Sequence, residues 1–189
     1  DGLTVAAARE QGLFEDARDR SLDAAIALFD ASETGRTHVA PEIAAALDAG
    51  QDVVCLCEGD PFFYGSFMYL FARLSDRYRV EVVPGVTSIT ACAASAGLPL
   101  AARNERLTVL PGPLPEAELR ARIDGADSVV IMKVGRHLAK IRAVIADLGL
   151  TASAVYVERA TLPQEVVLPL AEAPEKAPYF SMILITFSA

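Results

Sequence analysis

Short, nearly continuous apolar runs recur along the chain at Asp52–Glu58 (DVVCLCE), Arg79–Val83, Leu107–Leu110, Ser128–Val134, Ala154–Glu158, Glu165–Leu168 and Phe180–Phe187. Runs of this length bounded by turn residues predict strands buried on both faces. Between them the spacing of apolar positions changes to that of a helix. Ser66–Asp76 puts Phe67, Leu70, Phe71 and Leu74 on one side, and His137–Leu148 does the same with Leu138, Ile141, Ile145 and Leu148. Thr87–Ala96 predicts a helix of small residues closed by Gly97 and Pro99. Glu116–Ile123 predicts another. Nearer the amino end, Leu22–Phe29 and Ala40–Leu47 read as helical, and the polar stretch Ser32–Thr37 as exposed chain.

The order of these elements sets the architecture. Up to about residue 100 it runs strand, helix, strand, helix, the signature of an α/β unit with a mostly parallel sheet. The polar break Arg103-Asn104-Glu105-Arg106 then marks a boundary, giving an N-terminal domain at 1–103 and a C-terminal domain at 104–189. The last three strands have little helix between them, so the second sheet is expected to be mixed, with antiparallel strands. The fold class is α/β throughout.

Composition narrows the function classes. The chain has 189 residues, 52% of them hydrophobic, enough to bury a full core. Its net charge of −8 argues against a nucleic-acid partner, which calls for a basic face. Mean hydropathy is +0.32, yet no apolar run approaches membrane-span length, so no membrane role is expected. Asp1–Asp19 is too charged for a secretory signal. Cys55 and Cys57 alternate within one apolar run and share a face; with Cys92 they read as buried reduced thiols, which suits a cytoplasmic protein. His38 and His137 add no ligand spacing, so no metal is expected.

Four loops at strand ends could carry chemistry. Glu58-Gly59-Asp60-Pro61-Phe62-Phe63-Tyr64-Gly65 lies past the carboxyl end of a strand, where open α/β sheets bind ligands. Its glycines allow close backbone approach, and Asp60 can accept hydrogen bonds from a hydroxyl or ammonium. The plain alternative is an ordinary turn. Pro84-Gly85-Val86-Thr87-Ser88 opens a helix whose free N–H groups could hold a polar atom; simple capping by Thr87 is the alternative. Met132-Lys133-Val134-Gly135-Arg136-His137 crowds cations after a strand, against a solvated basic turn. Glu158-Arg159-Ala160-Thr161 also succeeds a strand, against a surface ion pair. No Ser/His/Asp set, P-loop or dinucleotide fingerprint is visible.

Taken together, the segments resemble the tetrapyrrole methylase family, from about Ala40 to Ile185. The match is carried by Gly59-Asp60-Pro61, Tyr64-Gly65 and Pro84-Gly85-Val86-Thr87-Ser88, and is strongest over Cys57–Leu100. CEGDPFFYGSFMYL and Tyr179-Phe180-Ser181-Met182-Ile183-Leu184 are similar to the family's precorrin-2 branch in particular. The resemblance implies two α/β domains with an intervening cleft, a homodimer, and methyl transfer from S-adenosylmethionine to a ring carbon of a tetrapyrrole. It further implies cofactor contacts from Glu58, Gly59, Asp60, Phe63, Thr87, Ser88, Met132 and Ala160. The resemblance identifies no catalytic base; Tyr64 is a candidate. The substrate is rich in carboxylates and the chain is acidic, so Arg103, Arg106, Lys133 and Arg136 are the cations expected to meet it. Family members open with a strand and a Gly-x-Gly-Pro-Gly-Asp-Pro loop, which this sequence does not contain; Asp1–Arg9 is similar to the segment next after that loop. Alternatives are a sister methylase for another ring position, one acting on a cobalt-containing substrate, one modifying a protein histidine, or a non-catalytic binding domain. A Rossmann oxidoreductase lacks its glycine fingerprint here.

Overall fold

A computed structural model describes residues 33–57 and 59–187. The chain divides into two compact units, Asp1–Thr87 and Ser88–Ala189.

In the first unit, α1 spans Glu33–Asp48 and α2 spans Phe67–Leu74. Leu70 and Leu74, one helical turn apart on α2, are buried with Ala40 and Ile43 of α1. Each of the leucine and isoleucine side chains contributes about 1.5–3 kcal/mol on full burial. The Tyr78 hydroxyl donates to Asp48 at 2.8 Å and ties the segment after α2 to the end of α1. Helix α1 begins at Glu33, so the polar stretch expected to be exposed chain is helical where it is described. Polarity alone does not separate a helix from a loop, because Glu, Arg and Thr are tolerated in both. Leu22–Phe29 lies outside the described residues. Asp52–Cys57 and Arg79–Val83 form no strand among the described residues, so the parallel sheet expected here is not described. A strand is defined by the ladder it makes with a neighbour, and periodicity within one segment does not supply that neighbour.

The second unit holds α3 (Ser88–Ala96), β1 (Leu107–Pro111), α4 (Glu116–Ile123), β2 (Ser128–Met132), α5 (Leu138–Asp147), β3 (Ala154–Glu158), β4 (Val166–Pro169) and β5 (Ser181–Thr186). The strands form one mixed sheet in the order β1-β2-β5-β3-β4. β1 runs parallel to β2, and the β2–β5, β5–β3 and β3–β4 pairs are antiparallel, as the helix-poor end of the sequence predicts. Val129, Ile131, Tyr156, Ile183 and Ile185 share one core with Leu119 and Ile123 of α4 and Leu138, Ile141, Val144 and Ile145 of α5. Val130, Val157, Met182 and Leu184 alternate with them along the same strands and are buried too. Coverage of both sheet faces explains why these strands read as continuous apolar runs. Helix α3 packs against β3 and β5 and buries Ile89 and Cys92. The sequence places a boundary near Arg103, whereas the compact units part at Thr87/Ser88 and α3 belongs with the second. Among the described residues no helix is long and apolar enough to cross a membrane.

Candidate functional site

In the first unit the chemistry-bearing residues lie on two loops that meet. Gly59 has φ +76°, a left-handed conformation that side chains disfavour, and a Cβ on it would stand 3.3 Å from the Val86 carbonyl oxygen. The Asp60 carboxylate accepts the Phe62 N–H at 2.9 Å through one oxygen and the Gly85 N–H at 3.0 Å through the other. The Phe63 N–H donates to the Asp60 carbonyl at 3.3 Å, closing the turn. Tyr64 is also left-handed, at φ 54°, and its ring is exposed and meets Phe63 edge-on. Phe62 packs edge-on against Phe71 of α2, which anchors the loop to that helix. Glu58 lies outside the described residues. Thr87, half-buried, immediately precedes α3, and Ser88 is the exposed first residue of that helix in the second unit.

The cysteines differ from expectation. Cys92 is buried, but Cys55 and Cys57 are only half-buried. Among the described residues their run makes no ladder that would cover both its faces. Burial still pushes all three thiols up, Cys55 further by its neighbour Cys57, Cys57 by Asp60, and Cys92 to about 11 with Glu165 contributing. None is poised as a thiolate nucleophile near neutral pH. No cluster with metal-ligating composition occurs among the described residues.

In the second unit the candidate residues gather at one edge of the sheet. The carboxyl ends of β2 and β3 flank the amino end of antiparallel β5. Met132 ends β2 and is buried. Lys133 turns to φ 57°, which is why the strand stops two residues short of the predicted Val134. Gly112, after β1, donates to the Met132 carbonyl at 2.7 Å, and a Cβ there would lie 2.8 Å from the Lys133 carbonyl oxygen. Gly135–His137 forms one 3-10 turn, and the Gly135 N–H reaches the Ser181 hydroxyl at 3.4 Å. Arg136 is exposed; its Nε donates to His137 Nε2 at 3.4 Å. Burial, then the nearby cations of Lys140 and Arg136, hold the His137 imidazole below its usual range.

At the end of β3, Glu158 is buried rather than on the surface, because the Tyr156 hydroxyl donates to it at 2.8 Å and Arg159 pairs with its other oxygen. Burial, with the Glu158 carboxylate next in importance, raises the Tyr156 phenol. Arg159 and Thr161 are both left-handed, at φ 48° and 67°, bracketing the half-buried Ala160. Glu165 accepts the Ser95 hydroxyl at 2.7 Å and the Thr161 N–H, joining this turn to α3. Sequence reasoning did not find that latch: the two side chains are 70 positions apart and neither lies in a motif. The Tyr156–Glu158 pair was also missed, although the spacing could have found it, since residues two apart in a strand share a face.

Arg106 does not join this edge. Its Nε binds Asp127 at 2.9 Å, ahead of the amino ends of β1 and β2, and Leu107 pairs with Ser128 at the far end of the ladder from Met132. Arg103 sits in the turn just before it, at φ 50°. Of the predicted cations, then, Lys133 and Arg136 share a loop, and Arg103 and Arg106 lie away from it.

The sequence profile of the Tetrapyrrole (Corrin/Porphyrin) Methylases matches residues 5–174. The chain is 50% identical over 147 residues to a precorrin-2 C(20)-methyltransferase of Sinorhizobium sp, covering 77% of this chain and 60% of that protein. It is 37% identical over 150 residues to a cobalt-precorrin-2 C(20)-methyltransferase of Salmonella typhimurium, covering 78% of this chain and 63% of the relative. The chain thus spans about three-fifths of the length of these relatives. Among solved structures, a uroporphyrin-III C-methyl transferase from Thermus thermophilus complexed with S-adenyl homocysteine superimposes with a TM-score of 0.60 at 28% identity, covering 78% of this chain and 72% of that one.

Proposed function

Because the chain belongs to the tetrapyrrole (corrin/porphyrin) methylase family, we propose that it transfers a methyl group from S-adenosylmethionine to C20 of precorrin-2, giving precorrin-3A on the route to cobalamin. The observation that carries this reading is the 50% identity to a precorrin-2 C(20)-methyltransferase, against 37% to the relative named for the cobalt substrate.

The residues present suit such a cofactor. A sulfonium nucleoside with an amino-acid tail offers hydroxyls, an ammonium, a carboxylate and a flat ring. In the first unit Gly59 presents a peptide that carries no side chain, Phe63 an apolar ring and Thr87 a hydroxyl. In the second, Ser88 adds a hydroxyl, Met132 a polarisable thioether and Ala160 a small side chain. We assign these residues to the cofactor, and Asp60 to the shape of the loop that presents Gly59 and Phe63. When bound, the sulfonium supplies an activated methyl. A nucleophilic ring carbon forms the new C–C bond as the S–C bond breaks, the thioether leaves, and the ring carbon then loses its proton. The chain's contribution is alignment, which in well-oriented reactions lowers the barrier by about 7–11 kcal/mol. Lys133 and Arg136 meet substrate carboxylates, Arg136 with the geometry for bidentate pairing. Tyr64, exposed on the cofactor loop, is the group we assign to proton removal. No metal enters this scheme. The reading carries a homodimer, by family analogy, and a cytoplasmic setting, which the free Cys55, Cys57 and Cys92 suit.

Incubation with precorrin-2 and S-adenosylmethionine, followed by mass spectrometry of the pigment, tests the proposal. A gain of one methyl is expected. Cofactor binding without any gain would leave a binding domain instead.

A further inference from the structure

Gly59–Gly65 and Pro84–Val86 approach more closely than side chains permit. A Cβ on Gly85 would stand 2.3 Å from the Gly59 carbonyl oxygen, 2.9 Å from its carbon and 3.2 Å from the Asp60 Cα. All three are backbone atoms and cannot swing aside. Among the described residues neither segment lies in a ladder or a helix, and the Asp60 carboxylate takes one N–H from each. One oxygen takes Phe62 of its own loop at 2.9 Å, and the other takes Gly85 of the opposite segment at 3.0 Å.

We infer that the Asp60 carboxylate is a positioning group that clamps the Pro84–Val86 segment onto Gly59, preforming the cofactor loop rather than bonding the cofactor itself. Two acceptor oxygens on one short side chain are what two donors on different segments demand. Asparagine would keep one acceptor and set an NH2 against the other N–H, losing one bond and opposing two donors. Alanine at position 85 would break the same contact from the other side, with the carboxylate intact. The role of the clamp in cofactor binding rests on the function proposed above; the clamp itself does not.

The test has two arms. In the wild-type chain, the Gly85 amide should exchange with solvent far more slowly than neighbouring exposed loop amides, and Asp60→Asn should accelerate it at least tenfold. This arm needs no cofactor and decides the clamp even if the chain binds none. In the second arm, calorimetry with S-adenosylhomocysteine compares Asp60→Asn, Gly85→Ala and the double variant. Each single change should weaken binding about tenfold, and the double no more than either single, because both break one contact. Cofactor KM should rise while kcat at saturating cofactor moves less than twofold. An unprotected Gly85 amide in the wild-type chain overturns the proposal. So does a double variant about a hundredfold weaker, the product expected of a carboxylate that bonds the cofactor directly.

Discussion

Gly59→Val probes the cofactor loop at the point where the structure leaves least freedom. The residue holds φ +76°. A residue with a Cβ pays roughly 1–2 kcal/mol in the left-handed region, and a β-branched one sits at the upper end. The new Cβ would also lie 3.3 Å from the Val86 carbonyl oxygen, so the Pro84–Val86 segment must give by a few tenths of an ångström. If the loop relaxes to escape this cost, the binding-competent conformation becomes the minor one. A bias of about 1.4 kcal/mol then weakens binding tenfold. Calorimetry with S-adenosylhomocysteine should therefore show a Kd at least tenfold higher. Gly50→Ala supplies the control: φ is +77° there too, but nothing lies within 4 Å of the added Cβ. It carries a comparable backbone penalty away from the loop, and should lower the melting temperature without changing Kd. A folded Gly59→Val chain with unchanged Kd would refute the reasoning, as would an equal loss of affinity in Gly50→Ala.

Three further outcomes concern the second unit. Tyr156→Phe removes a fully buried hydroxyl from the Glu158 carboxylate, and urea titration should show a loss of about 1–3 kcal/mol; an unchanged midpoint would mean the bond contributes nothing. The Ser95 hydroxyl and then the Thr161 N–H hold the Glu165 carboxyl below its ordinary range, so its contribution is fully present above the unfolded-state value and is lost as pH falls through the lower folded one. Glu165→Gln should thus lower the melting temperature at neutral pH and make no difference in strong acid; a gap that persists in acid would contradict the latch. Arg136→Ala should raise the apparent constant for the tetrapyrrole and flatten its salt dependence while leaving cofactor affinity unchanged, whereas no change in either would return Arg136 to the solvated surface.

The second unit was largely legible because its strands and helices each carry a complete local signal. The run Val129–Met132 is apolar throughout and lies inside the sheet, and the predicted face of α5 is the face that packs, with Leu148 at its edge only half-buried. What periodicity could not give is partnership. Asp52–Cys57 has the pattern of a strand but no ladder among the described residues, and α3 reads as part of the first domain yet packs on β3 and β5. The same limit applies at the site. The Gly-Asp-Pro and Pro-Gly turns were visible as motifs, but only coordinates show one carboxylate spanning both, or the left-handed Lys133 and Arg159 at the strand ends. Arg106 read as a substrate cation because its charge is plain in the sequence and its partner Asp127 is not.

The regiochemistry of methyl transfer is the most direct test of the proposed activity. S-adenosylmethionine carrying an isotopically labelled methyl carbon would be incubated with precorrin-2 and the chain, and the product examined by NMR. A single enriched methyl attached to C20 is the result predicted. Label at another ring position would assign the chain to a sister methylase, and an unlabelled pigment in the presence of bound cofactor would contradict the methyltransferase reading itself.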